Sequence, residues 1–114
     1  MGIRSEVGIA VRAGYTEDFE KYNAELIDDC APDIIEDKEG KLYLIDDVKW
    51  YRHDDPLVGR VYEWAEQNSE HILIVEACYD YPQSDEGDYG HWNDNPFNLC
   101  RDCSVSIYYT SRES

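Results

Sequence analysis

Apolar residues recur along this chain in two periods. Val7-Gly8-Ile9-Ala10-Val11 sets apolar against small residues at every second position and predicts a first strand, broken at Gly14. Thr16 predicts a helix N-cap, with Glu17 and Asp18 in the first turn, where the helix dipole favours negative charge. Phe19, Tyr22 and Leu26 then fall on one helical face, so this helix is expected to run to about Asp28 and to end before Pro32. Ile34-Ile35 and Leu42 to Ile45 flank Asp37-Lys38-Glu39-Gly40 and predict a hairpin, its second strand extending through Val48 and Trp50. Asp55-Pro56 reads as N-cap and first helical position of a second helix, with Leu57, Val61, Trp64 and Ala65 as its buried stripe.

From His71 to Tyr79 both alternating sets are largely apolar, which argues for an interior strand. Asp80 to Cys103 is rich in Gly, Pro, Asn and Asp and predicts a long loop, of the kind that is usually functional or mobile. Val105, Ile107 and Tyr109 alternate with Ser104, Ser106 and Tyr108 in a half-buried last strand near an edge. The succession β-α-β-β-α-β with one added C-terminal strand predicts one α+β domain over residues 1–114. The expected arrangement is ferredoxin-like: an antiparallel sheet with two helices on one face.

Charge changes the picture. Asp and Glu number 26 against 10 Lys and Arg, a formal charge of −16 on 114 residues. Phosphate binding needs Lys and Arg to release counterions, so direct nucleic-acid binding is not expected, and neither is an anionic membrane surface. Ten Tyr, three Trp and two Phe separate the chain from disordered acidic tails, which are poor in aromatics. Self-repulsion among carboxylates opposes compaction, so salt should favour folding. No apolar run approaches the ~20 residues that span a bilayer, and the first residues carry no hydrophobic signal region, so a cytoplasmic location with reduced cysteines is expected.

Candidate chemistry is sparse. Cys100-Arg101-Asp102-Cys103 is a single CxxC, whereas structural zinc needs four ligands. Cys78 and His91 could complete a set with Cys100 and Cys103, although the spacing matches no standard zinc pattern. The stretch Ser84 to Asp88 lacks EF-hand spacing, and there is no phosphate loop, HExxH or nucleophile elbow. A cofactor-free binding protein, not an enzyme, is therefore expected. A net charge of magnitude 2 to 8 suffices for the solubility of a small domain, so the excess points to a basic macromolecular partner. Candidate contacts are Glu17, Glu20, Asp28, Asp37, Glu39, Asp46, Asp85, Glu86 and Asp88, with Tyr81, Tyr89 and Trp92 as apolar anchors. The same aromatics would equally serve to cover the sheet face that the helices leave bare.

Residues 1–10, Asp46 to Tyr51, Gly87-Asp88-Tyr89 and Asn95-Pro96-Phe97 together resemble a group of small, acidic, phage-encoded accessory proteins. The resemblance implies a protein that binds and blocks a host factor such as a nuclease, in the host cytoplasm. Imitation of nucleic acid, of the anti-CRISPR or anti-restriction type, is the mode it suggests. The zinc-binding reading and a phage structural or assembly role stand as alternatives.

Overall fold

A computed structural model describes residues 5–78, 88–102 and 106–110. Four antiparallel strands form one sheet in the order β2-β3-β1-β4: β1 (Ser5–Arg12), β2 (Asp33–Asp37), β3 (Gly40–Val48) and β4 (Ile72–Cys78). Three helices, α1 (Thr16–Tyr22), α2 (Ala24–Cys30) and α3 (Pro56–Gln67), cover one face. The alternation in the strands explains the division. Val7, Ile9, Val11, Tyr43, Ile45, Ile72 and Ile74 point to the helices and pack with Phe19, Leu26, Val58, Val61 and Trp64. Ala10, Leu42 and Val75 point the other way, onto Trp92, Phe97 and Leu99.

The first helix is two helices, not one, which makes three on this face where two were expected. It breaks at Asn23, although Asn23 N–H still bonds Phe19 O (3.0 Å) and Ile27 N–H still bonds Asn23 O (3.0 Å). The break turns Asn23 inward (1% exposed), where its side-chain amide donates to Phe19 O, and turns Tyr22 out to 43% exposure. The cap at the start is Tyr15 without a side-chain bond, so Thr16 is already helical. α2 ends on Ala31 in the left-handed region (φ 46°), directly before Pro32. The expected cap of α3 is present: the Asp55 carboxylate accepts from Leu57 N–H at 2.9 Å, with Pro56 opening the helix. β3 stops at Val48, and Trp50 beyond it is buried with its indole N–H donating to Tyr62 Oη (2.7 Å).

β4 is an edge strand of the four, where an interior position was expected. It is apolar on both faces because helices cover one side and the 92–99 segment covers the other. The expected added C-terminal strand does not join this sheet. Among the described residues β6 (Ser106–Tyr108) pairs with β5 (Cys100–Asp102) alone, and this two-stranded sheet lies over β1 and β4. Gly8 makes room for it: a Cβ there would come within 2.8 Å of Leu99 Cδ1 and 2.9 Å of Ile107 Cδ1. Among the described residues no helix is long and apolar enough to cross a membrane.

Candidate anionic interface

Most of the described basic side chains are held by the protein itself. Lys41 Nζ lies 2.8 Å from Glu20 Oε2, which also accepts from Tyr43 Oη at 2.7 Å. Burial pushes the Glu20 carboxyl up, but the two hydrogen bonds and the Lys41 charge outweigh it and hold Glu20 below its ordinary value. The same bond raises Lys41, while burial and then Glu20 raise Tyr43. Arg101 donates from Nε to Glu76 O (3.0 Å) and pairs with the Asp88 carboxylate. The Arg52 guanidinium lies 4.3 Å above the Tyr62 ring and 5.6 Å from that of Tyr89. Arg12 lies over Trp92 and donates to Glu70 O, and Arg60 meets Glu25 at 2.7 Å. Lys21, Lys38 and Lys49 remain exposed.

Acid is concentrated on one side. Residues 17–39, which form α1, α2, β2 and the following turn, carry ten carboxylates and two lysines. These elements are continuous in space: Glu20 ties α1 to β3, and β2 is the strand beyond β3. Glu17, Asp28 and Glu39, all expected contacts, are exposed here, together with Asp33 and Glu36 of β2. Glu20 and Asp37 lie on the same side but have internal work. Asp37 Oδ1 accepts from the N–H groups of Glu39 (2.7 Å) and Gly40 (3.3 Å) and so fixes the β2–β3 turn, while its Oδ2 is buried without a hydrogen-bond partner. α3 exposes Glu63 and Glu66 as well, with Tyr22 Oη donating to Glu63 (2.9 Å).

The other expected contacts do not join this side. Asp46 is exposed six residues along β3 from Gly40, roughly 20 Å away at the strand rise. Asp88 lies beyond the opposite edge, where it accepts from Glu76 N–H (3.0 Å) and meets Arg101. Tyr89 is half-buried, edge-on to Tyr62 with ring centres 6.4 Å apart. Trp92, expected as an exposed anchor, is 2% exposed and belongs to the second core, so it is not available to a partner. Tyr81, Asp85 and Glu86 lie outside the described residues, as does Cys103. Asp33 and Glu36 were not among the contacts expected from the sequence. The signal was a five-residue apolar-centred strand with acid at both ends, between Pro32 and Gly40.

Of the alternative metal set, the described Cys78 and His91 are not brought together. Cys78 is buried at the end of β4 opposite Ser5, while His91 N–H donates to Ser69 O (2.6 Å), past the strand's other end. Those ends are roughly 20 Å apart. Cys100 is exposed on β5, and among the described residues no three His, Cys, Asp or Glu are grouped to hold a metal ion. Cys30 is half-buried, and burial followed by the Asp29 and Asp55 charges raises its thiol, which disfavours a reactive thiolate. One open polar hollow of about 380 Å3 is lined by Arg12, Ser69, Glu70, His91, Asn93 and Asp94, a mixture of both charges. Comparison with protein-family models, with curated proteins and with solved structures finds no match.

Proposed function

We propose that this chain is an acidic accessory protein of the phage type. It binds a basic surface on a host nucleic-acid-handling protein and competes with the nucleic acid, by binding and not by catalysis, in the host cytoplasm. The observation that carries the reading is the excess of exposed acid on one side: Arg12, Lys41, Arg52, Arg60 and Arg101 are held by the protein's own groups, while Glu17, Asp28, Asp33, Glu36 and Glu39 are exposed along α1, α2, β2 and the turn after it, against the two exposed lysines Lys21 and Lys38. Duplex DNA carries one charge per about 1.7 Å of axis. Carboxylates four residues apart on a helix lie about 6 Å apart along its axis; two short acidic helices beside an acidic strand add such charges over a small patch, to which a groove built for phosphate would be attracted at long range. The accompanying fold reading is ferredoxin-like, supported by the strand order β2-β3-β1-β4 and the β2–β3 hairpin.

The test is inhibition of DNA cleavage by a panel of restriction and CRISPR nucleases. The triple variant Glu17→Lys, Asp28→Lys, Glu39→Lys should weaken inhibition of a sensitive nuclease at least tenfold and flatten its dependence on salt. Undiminished inhibition by the triple variant removes the proposal.

A further inference from the structure

The two edges of the main sheet are treated differently. Beyond β4, the 88–92 segment closes the edge: Tyr89 and Ile74 exchange backbone hydrogen bonds (2.7 and 3.0 Å), and Trp92 N–H reaches Ile72 O (3.3 Å). Beyond β2, nothing among the described residues pairs. Alternate residues of Asp33–Asp37 therefore turn backbone N–H and C=O groups outward, the template on which an added strand forms.

We infer that a cationic extended segment of the partner adds to the sheet as a fifth strand along the outer edge of β2. Charge chooses the occupant. Asp33 and Glu36 are exposed on this edge, with Ile34 between them 45% exposed on the side of Tyr43. A strand bearing Lys or Arg beside the two acids and an apolar residue beside Ile34 matches it on both faces. A second copy of this chain does not, since its β2 would set Asp33, Glu36 and Asp37 against the same acids. With the β4 edge met by the 88–92 segment, β2 is the open edge of the main sheet among the described residues. This inference rests on the proposed basic partner and specifies how part of it is held.

The experiment titrates a synthetic octapeptide Thr-Thr-Lys-Val-Val-Lys-Thr-Thr, whose two Lys lie three apart as Asp33 and Glu36 do and so fall on opposite faces of a strand, into the isotopically labelled full chain at low salt. Its control carries the same charge with four consecutive central residues N-methylated, so that neither peptide edge can pair. The expected result is that the unmethylated peptide binds at least tenfold more tightly and that the perturbed amides centre on residues 33–37. The double variant Asp33→Lys, Glu36→Lys should lose that tenfold, whereas Glu66→Lys on α3 should not. Equal affinity of the two peptides, or perturbations centred on the helices, overturns strand addition. Nuclease inhibition separates the two ideas. If inhibition depends on Glu17, Asp28 and Glu39 while the peptide ignores β2, the broader function stands without this mode. If the peptide pairs with β2 while no nuclease is inhibited, the reverse holds.

Discussion

A Cβ on Gly90 would sit 2.1 Å from the carbonyl oxygen of Ile72 and 2.8 Å from its carbon, and the residue holds φ at +107°. Both constraints come from the same event, the laying of the 88–92 segment against β4. Gly14 supplies the comparison, because it also has positive φ (+92°) but nothing within 4 Å of its Cβ position. Gly14→Ala therefore carries only backbone strain, about 1 kcal/mol. Gly90→Ala adds a collision with backbone that cannot move without breaking the Tyr89–Ile74 bridge, and should cost about 3 kcal/mol. Urea denaturation of the two variants checks this. Equal costs would mean that the 88–92 segment is not closed on β4 in solution, and Trp92 would then lose its buried place.

The elements that announced themselves in the sequence are those whose determinants are local. Asp55 and Pro56 are adjacent to the helix they start, and replacing Asp55 by Ala should cost about 1 kcal/mol in thermal unfolding. A loss near zero would show that Leu57 N–H finds water as readily as the carboxylate. The β2–β3 hairpin was legible for the same reason, since Asp37 bonds N–H groups two and three residues on. What was not legible depends on distant partners. The period of Phe19, Tyr22 and Leu26 gave no sign of a break at Asn23, because the bonds spaced four apart continue through it. Periodicity reports burial, not position in a sheet, so β4 looked interior when its second face was covered by Trp92, Phe97 and Leu99. The excess of acid and a set of candidate contacts were visible, but not which acids have internal work. Glu20 meets Lys41 and Tyr43 across 21 and 23 positions, and Asp88 meets Arg101 across 13. No short-range pattern distinguishes those two from Glu17 or Glu39.

At the scale of the whole molecule, the exposed carboxylates repel one another while ion pairs, three among the described residues, attract, and salt weakens both. The magnitudes decide the sign. The pairs Lys41–Glu20, Arg60–Glu25 and Arg101–Asp88 are all partly or largely solvent-exposed, and such pairs contribute about 0–1 kcal/mol each. Two like charges 15 Å apart in water repel by roughly 0.3 kcal/mol, but 26 acids against 10 bases leave dozens of uncompensated like pairs between segments far apart in the chain. Unfolding moves many of them apart, so relief of repulsion exceeds the loss from the ion pairs. The molecule measures 39 × 29 × 23 Å. A Debye length of about 30 Å at 0.01 M salt spans it, and one of about 8 Å at 0.15 M reaches only neighbouring groups. The melting temperature should therefore rise by about 5 °C or more between those concentrations, with a smaller further gain up to 1 M. Because screening needs only ionic strength, sodium chloride and choline chloride should act alike. A melting temperature that is flat or falls over this range would mean that the ion pairs prevail. The excess of exposed acid behind the anionic interface would then lack energetic consequence for the fold.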